Sequence, residues 1–229
     1  MSEPSSRASG SSSIEAALVF TGGEPMPEAV LAHLPDVELV IAADSGLMCA
    51  QSLGCAVDLV VGDLDSVDPS ALAEAEARGA SVERHAAEKD ATDLELALVA
   101  ALARGARRVT VVGGHGGRLD HFLANALLLA ADSFAALTID AWMANAHVTV
   151  VRTAAELQGA PGSLCTLLPI GGVARGITTE GLQYPLTHED LEPGSSRGVS
   201  NVLVGPTANV TLQHGVLLAV QPHALEDPT

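Results

Sequence analysis

The sequence predicts an α/β fold in two parts: an N-terminal Rossmann-like, three-layer domain with a parallel sheet, followed by a C-terminal all-β sandwich domain. Up to about residue 144, short apolar runs alternate with segments of helical periodicity. From residue 145 this periodicity stops, and short strands bounded by Gly, Pro and Asn take over. We therefore place an α/β domain at residues 14–144 and a β-sandwich domain at residues 145–229.

The elements of the first part follow one another as expected of βα units. Strands are predicted at Ala16–Phe20, Leu39–Ala43, Asp58–Val61, Ser81–Arg84, Arg108–Val112 and Ala136–Ala141. Helices are predicted at Pro27–Leu34, Leu47–Leu53, Pro69–Arg78, Asp93–Ala103 and His121–Ala130, with glycine C-caps at Gly54, Gly79 and Gly105. Such alternation implies a parallel sheet with helices on both faces, and ligands bind such sheets beyond the carboxyl ends of the strands.

The second part and the N-terminus have simpler patterns. Strands are predicted at Val148–Val151, Leu164–Leu168, Asn201–Val204, Asn209–Gln213 and Val216–Val220, with turns at Gly205-Pro206 and a hairpin at His214-Gly215. Residues 1–13 are rich in Ser and lack the apolar run of a signal peptide, so we expect a disordered tail there.

Composition limits the classes of function. The chain has 229 residues, 48% of them hydrophobic and only 2% aromatic, so its core consists mostly of Ala, Val and Leu. The net charge of −17 and the small number of Lys and Arg residues, 11 in all, argue against a nucleic-acid partner. No segment has membrane-spanning length without polar interruption. The three cysteines show no metal-ligand spacing. Their odd number argues against a disulfide framework and for a reducing, cytoplasmic location.

Acidic residues follow several of the predicted strands. Asp44, the pair Asp63 and Asp65, and the pair Asp90 and Asp93 all fall at the predicted carboxyl edge of the sheet. Asp63 and Asp65 point the same way if the backbone stays extended, and Asp90 and Asp93 share a face if a helix begins there. Mg²⁺ prefers such oxygen ligands. Taken singly, each segment also fits local structure, as a turn or as a helix N-cap at Thr92 with Glu95 as its capping-box partner.

A glycine-rich loop follows the fifth predicted strand. Gly113 to Gly117 lets backbone amides approach an anion ahead of a helix N-terminus. Lys89 and Arg118 are the cations best placed to bind a phosphate, and Arg118 can do so bidentately. The alternative for Arg118 is a salt bridge to Asp120. We expect His115 to face solvent and assign no role to His121.

Several motifs in a fixed order resemble the thiamine pyrophosphokinase family. They are Ala-Asp-Ser-Gly at Asp44, Gly-Asp-Leu-Asp-Ser at Asp63, Lys-Asp-Ala-Thr-Asp at Lys89, Gly-Gly-Arg-Leu-Asp-His at Arg118, and the later Gly-Leu-Gln-Tyr-Pro-Leu and Ser-Asn segments. The resemblance runs from about Phe20 to Val220. It implies transfer of a pyrophosphoryl group from ATP to the hydroxyl of thiamine, with Mg²⁺, in a homodimer whose thiamine pocket lies at the interface.

The resemblance also implies roles for individual residues. The metal residues would be Asp63, Asp65 and Asp93, of which Asp65 and Asp93 would also be catalytic. ATP would be bound by Asp44, Lys89, Asp90, Gly114, Arg118 and Asp120. Thiamine would be bound by Tyr184, where family members often carry Trp, and by Ser200 and Asn201, within the β-sandwich domain that also forms the dimer.

Two other classes of function use the same residues. A metal-dependent nucleotide phosphohydrolase would use this carboxylate cluster with water in place of thiamine, and would release AMP without thiamine. A non-catalytic sensor of thiamine or thiamine diphosphate would be expected to have lost acids such as Asp63 or Asp93, which are present here.

Overall fold

The computed structural model describes residues 14–86, 88 and 90–226. The tail predicted at residues 1–13 and the predicted phosphate ligand Lys89 lie outside the described residues. Within the described part, no helix is both long and apolar enough to cross a bilayer. All three cysteines are free thiols.

The N-terminal part contains the predicted βα units. Its strands are β1 (Ala16–Thr21), β2 (Leu39–Ala43), β3 (Leu59–Gly62), β4 (Ser81–Arg84), β5 (Arg108–Gly113) and β6 (Thr138–Met143). Its helices are α1 (Gly46–Ser52), α2 (Pro69–Ala77), α3 (Asp93–Ala103) and α4 (Leu119–Leu128). A short 3-10 helix lies at Asp132–Phe134. The helix predicted at Pro27–Leu34 is instead a 3-10 helix at Glu28–His33, and it ends there because Pro35 holds Leu34 in the extended region.

The C-terminal part is formed by strands. They are β7 (Ala146–Val151), β8 (Ala154–Gln158), β9 (Leu164–Glu180), β10 (Thr187–Leu191), β11 (Asn201–Val202), β12 (Thr207–Thr211) and β13 (His214–Gln221). The hairpin predicted at His214-Gly215 is wrong. Both residues lie inside β13, and β12 and β13 each pair with β9 instead of with each other.

One path of paired strands connects the two parts. The order is β4-β3-β2-β1-β5-β6-β7-β13-β9-β12-β8, parallel from β4 to β6 and antiparallel from β6 onward. The direction changes at the tight connection between Met143 and Ala146. In the first part, the chain runs outward from β1 to β4 and then returns to the other side of β1 as β5. The carboxyl ends of β1 and β5 therefore border the switch point where ligands bind in such sheets.

The cores confirm the predicted layers. On one face of the parallel sheet, α3 packs Leu94, Leu98 and neighbouring alanines against strand residues such as Ile41. On the other face, α1 and α2 pack Leu47 and Leu72 against strand residues of β2 and β3. In the second part, β9 changes sheets along its length, pairing first with β13 and then with β12, so that both sheets enclose one core.

Candidate active site

Three neighbouring elements bring acidic residues to the carboxyl edge of the sheet. Asp44 directly follows β2, and Asp63 directly follows the adjacent parallel strand β3. Asp93 is the first residue of α3, whose N-cap Thr92 accepts a hydrogen bond at Oγ1 from the Glu95 N–H, 3.2 Å away. The local explanation for Thr92 is therefore correct, and it coexists with the placement of Asp93 beside the other acids.

The carboxylates of Asp44, Asp63 and Asp65 form the acid cluster. One oxygen from each lies within 4.8 Å of the other two. The backbone does not stay extended between Asp63 and Asp65, since Leu64 is left-handed with φ of 64°, so the segment follows the turn alternative. This conformation is rare for a bulky residue, and such strain is typical of functional loops. The Asp65 N–H also donates to Asp63 Oδ1 over 3.3 Å.

Asp44 is the buried member of the acid cluster. It is only 7% exposed, and among the described residues its Oδ1 has no hydrogen-bond partner. Burial raises the pKa of Asp44, the nearby charges of Asp93, Asp63 and Asp65 raise it further, and the bond from the Ser45 N–H opposes the shift. A buried, unpartnered oxygen among like charges is costly unless a cation joins it. The acid cluster therefore fits a hard divalent cation such as Mg²⁺.

Asp93 borders this cluster across Gly62. A Cβ added to Gly62, where φ is 152°, would lie 3.0 Å from Asp93 Oδ1 and 3.1 Å from the Asp44 Cβ. Only glycine leaves room for both carboxylates there. Asp90 is exposed and precedes the helix, which begins at Asp93, so the condition for a shared helical face of Asp90 and Asp93 is not met. Among the described residues, Asp90 is not part of the metal-capable group.

The glycine loop, residues 113–117, packs against the loop that follows β1. The Gly114 N–H donates to Gly22 O over 3.0 Å, and the Glu24 N–H donates to His115 O over 2.9 Å. A Cβ added to Gly23 would lie 2.4 Å from His115 O, so only glycine permits this approach. The two loops meet at the switch point between β1 and β5, where backbone amides can serve an anion.

Two side chains were assigned an environment from the sequence: His115 in the glycine loop and Arg118 directly after it. His115 is half-buried, its Nδ1 lacks a partner among the described residues, and burial lowers its pKa while Glu24 opposes that shift. It does not simply face solvent, as predicted. Arg118 forms the alternative salt bridge, with Nη2 2.6 Å from Asp120 Oδ2. This guanidinium lowers the pKa of Asp120 to about 2. Phosphate binding by Arg118 and a contact of Asp120 with ATP remain predictions.

The Tyr184 pocket lies in the C-terminal part. It is a cavity of about 440 Å³ lined by Tyr184, Leu186, Ser195, Ser196, Arg197, Gly198, Val199 and Asn201. The buried Asn201 shapes it: Oδ1 accepts from the Tyr184 N–H over 3.0 Å, and Nδ2 donates to Tyr184 O over 2.7 Å. Two of the three predicted thiamine ligands thus lie together. Ser200, left-handed with φ of 56°, donates its N–H to Thr166 Oγ1.

Sequence reasoning missed Arg197 in this pocket. Its guanidinium pairs with both carboxylate oxygens of Glu189, each 3.1 Å from Nη2. Arg197 lies three residues before Ser200, so its proximity to a predicted ligand was the available signal. The pairing with Glu189 depends on the fold of β10, a strand that sequence reasoning also missed.

Fold and site together define a class, the α/β enzymes whose site lies at the switch point of a parallel sheet. Comparison with known proteins identifies the family. The model "Thiamin pyrophosphokinase, catalytic domain" matches residues 32–139, and the model "Thiamin pyrophosphokinase, vitamin B1 binding domain" matches residues 149–217. Together these matches span most of the chain. The chain belongs to the thiamine pyrophosphokinase family.

Individual relatives agree with this result. Thiamine pyrophosphokinase of Bacillus subtilis (strain 168) is 26% identical over 194 residues, covering 80% of this chain and 86% of the relative. Thiamine pyrophosphokinase 1 of Oryza sativa subsp. japonica is 24% identical over 170 residues, covering 67% of this chain and 62% of the relative.

Solved structures show the shared fold. The crystal structure of the Bacillus subtilis thiamine pyrophosphokinase superposes with a TM-score of 0.79 at 24% identity, covering 90% of this chain and 98% of that one. The Candida albicans thiamin pyrophosphokinase superposes with a TM-score of 0.72 at 15% identity, covering 90% and 89%. The predicted fold class is thereby confirmed.

Proposed function

We propose that this protein is a thiamine diphosphokinase that transfers the pyrophosphoryl group of ATP to the hydroxyl of thiamine, giving thiamine diphosphate and AMP. The observation that supports this most directly is the acid cluster beside the glycine loop, in a chain matched by both a catalytic and a vitamin B1 binding family model. The sensor alternative loses support because Asp44, Asp63, Asp65 and Asp93 are all retained and lie close together.

The acid cluster would hold Mg²⁺ through Asp44, Asp63 and Asp65, with Asp93 beside them. When bound, the ion would neutralise charge on the phosphates of ATP. Backbone amides of the glycine loop other than that of Gly114, which is bonded to Gly22 O, would serve the same phosphates, and Arg118 would reach them by leaving Asp120. Exchanging this exposed salt bridge for a phosphate costs little, because both partners are largely solvated.

The proposed reaction is a displacement at the β-phosphorus. The hydroxyl oxygen of thiamine forms a bond to that phosphorus, and the bond from it to the oxygen bridging the α-phosphorus breaks. AMP departs with the bridging oxygen, and the hydroxyl proton passes to a carboxylate. We assign orientation or deprotonation of the hydroxyl to Asp93, which borders the acid cluster from the N-terminus of α3, or to Asp65.

Thiamine would bind through the Tyr184 pocket, which shares no residue with the acid cluster. We propose that two copies pair, so that the pocket of one faces the acid cluster of the other. Support comes from α4, which begins just after the glycine loop and exposes Leu119, Leu123 and Leu127 by half or more. An exposed apolar stripe of this spacing is typical of an interface.

The three cysteines are free thiols that are partly or fully buried, which supports a reducing, cytoplasmic location.

The deciding experiment is an end-point assay of purified protein with ATP, Mg²⁺ and thiamine that resolves AMP, ADP and thiamine diphosphate. We expect AMP and thiamine diphosphate in equal amounts, and neither without thiamine. AMP formed without thiamine would instead establish a hydrolase, and ADP would establish a different transferase. Absence of any product, with thiamine binding intact, would leave the sensor as the function.

A further inference from the structure

A large cleft lies outside both parts of the proposed site. It has a volume of about 890 Å³, within the range of small-molecule sites. Its floor is the face of β5, β6 and β7 opposite α3, with Thr110, Asp140 and Thr149 side by side across the three strands. The turn at residues 159–164 and the segment after β13 form its walls. It shares no lining residue with the acid cluster or the Tyr184 pocket.

The floor of the cleft is rigid and polar. Thr110 Oγ1 donates to Asp140 Oδ1 over 2.9 Å, and His147 Nε2 lies 3.1 Å from Asp140 Oδ2. The buried Gln221 donates through Nε2 to Gln158 O over 2.8 Å, which joins the floor to β8. These bonds hold the side chains of the cleft in place before any ligand arrives, which lowers the entropic cost of binding.

A stack of flat rings forms one side of the cleft. The Trp142 ring lies 4.3 Å from the His147 ring at 23°, and 4.9 Å from the His33 ring at 39°. All three residues line the cleft. Trp142 is itself buried, so the imidazoles extend its aromatic surface toward the space. A planar ligand can continue this stack.

The charge of the lining has one sign when the imidazoles are neutral. Asp140, Glu156 and Glu226 contribute three carboxylates, and none of the described lining residues is Lys or Arg. Glu226 is held at the edge by Asn145 Nδ2, which donates to its Oε1 over 2.8 Å. A cleft whose carboxylates are not balanced by Lys or Arg attracts cations and repels anions such as phosphates.

We propose that this cleft is a binding site for a flat organic cation, a positively charged nitrogen heterocycle that stacks on the imidazoles and pairs with the carboxylates. The ring stack selects a planar ligand, the carboxylates select its charge, and the threonine and glutamine side chains accept and donate hydrogen bonds at its edge. Thiamine itself belongs to this class of ligand, but the cleft shares no lining residue with the Tyr184 pocket or the acid cluster, and its test requires neither ATP nor Mg²⁺.

The chain carries its own reporter, since Trp142 is its sole tryptophan. The test titrates the full-length protein with three probes of nearly equal shape: 1-methylnicotinamide, a cation; nicotinamide, neutral; and nicotinate, an anion. Tryptophan fluorescence is followed in each titration. We expect saturable quenching by the cation alone. Linear, non-saturating quenching by all three would overturn the site, and equal saturation by nicotinamide or nicotinate would overturn the selection for positive charge.

A matched pair of variants separates the cleft from the general charge of the protein. Glu156→Lys reverses an exposed carboxylate of β8 that lines the cleft, whereas Glu76→Lys makes the same change on the exposed face of α2. We expect Glu156→Lys to weaken binding of 1-methylnicotinamide by about fivefold or more and Glu76→Lys by less than about twofold. Equal weakening by the two would place the ligand elsewhere on the acidic surface. Both positions are exposed, so near-ultraviolet circular dichroism should match that of the wild type.

Discussion

The acid cluster and the Tyr184 pocket hold their polar groups in opposite ways. In the acid cluster, like charges meet and the buried Asp44 Oδ1 has no partner among the described residues. In the Tyr184 pocket, the buried Asn201 is bonded on both sides, to Tyr184 and to the Val202 N–H. Asp44 Oδ1 can thus take a ligand from outside the described residues, whereas the bonds of Asn201 make the wall of the pocket rigid. Asp93→Asn, beside the cluster, should therefore lower activity and spare the fold, whereas Asn201→Ala, in the pocket, should lower stability.

The largest expected effect tests the catalytic half of this contrast. Asp93→Asn keeps the size of the side chain and removes its charge, so the fold should survive while kcat/KM falls by about 10³-fold. The measurement is a steady-state assay of AMP release together with a thermal unfolding curve. Asp36→Asn, an exposed aspartate before β2, is the control and should retain activity. Near-normal turnover in Asp93→Asn would refute the role of Asp93.

The next prediction tests whether the hydrogen bonds of Asn201 in the Tyr184 pocket stabilise the fold. Asn201→Ala removes the bonds to both backbone groups of Tyr184 and leaves those groups without their partner. We expect the free energy of unfolding to fall by about 3 kcal/mol. The KM for thiamine should rise more than the KM for ATP, since only the pocket changes shape. Urea unfolding and initial rates measure the two effects. Asn209→Ala, on the exposed face of β12, should change neither, and a similar loss there would discount the hydrogen bonds of Asn201.

Asp44→Asn should have a smaller effect on the free energy of unfolding than Asn201→Ala, and in the opposite direction. The pKa of Asp44 is raised by burial and by Asp93, so the folded chain keeps a proton there that the unfolded chain has already lost. The resulting stability is complete below the ordinary carboxyl pKa and is lost as pH rises through the folded pKa. Asp44→Asn removes that loss and should stabilise the metal-free protein at about pH 7.5 by ~0.5–2 kcal/mol, with little difference near pH 4.

Urea unfolding in EDTA at the two pH values measures the Asp44 effect. The same experiment on Asp36→Asn should show no such dependence, because that side chain is exposed. If Asp44→Asn were less stable than the wild type at both values, the unpartnered oxygen would not carry a cost, and the contrast between cluster and pocket would fail.

The smallest effect concerns the ring of Tyr184. This side chain is 55% exposed, so its removal should change stability by no more than about 0.5 kcal/mol. If the ring stacks on thiamine, Tyr184→Ala should raise the KM for thiamine by about fivefold, and Tyr184→Phe by less than about twofold. Equal effects of the two substitutions would assign the contribution to the hydroxyl.

Sequence reasoning succeeded where the signal was local. The parallel strands and the helices between them were predicted within a few residues, because apolar runs mark the strands and glycines mark the helix ends. Strand β2 and helix α3 are examples. The antiparallel part was predicted less well. β9 continues through Gly171, Gly172 and Gly176, which are typical strand breakers, because its pairing is bulged there. The pairing with β13 shifts between Ile170 and Arg175, and the pairing with β10 shifts between Ala174 and Ile177. β10 carries the polar sequence Thr-His-Glu-Asp-Leu and shows no strand pattern.

The site shows the same division. The positions of Asp44 and Asp63 after adjacent strands followed from the sequence, because parallel strands end at one edge. The isolation of Asp44 Oδ1 did not, since it depends on burial by distant segments. A turn at Asp63–Asp65 was one of the local alternatives, but the left-handed conformation of Leu64 did not follow from the sequence, because it contradicts the local preference of leucine. Which acids gather into one group was therefore a result of tertiary structure.

The place of β13 in the sheet has a consequence for the newly made chain. β13 lies between β7 and β9, although the ribosome makes it after both. Until residue 221 has left the exit tunnel, the edges of β7 and β9 remain open, and unpaired edges of apolar strands invite pairing with other chains. A pause or premature stop before β13 would leave a folded parallel sheet beside two exposed edges, a product that chaperones or proteases would have to recognise.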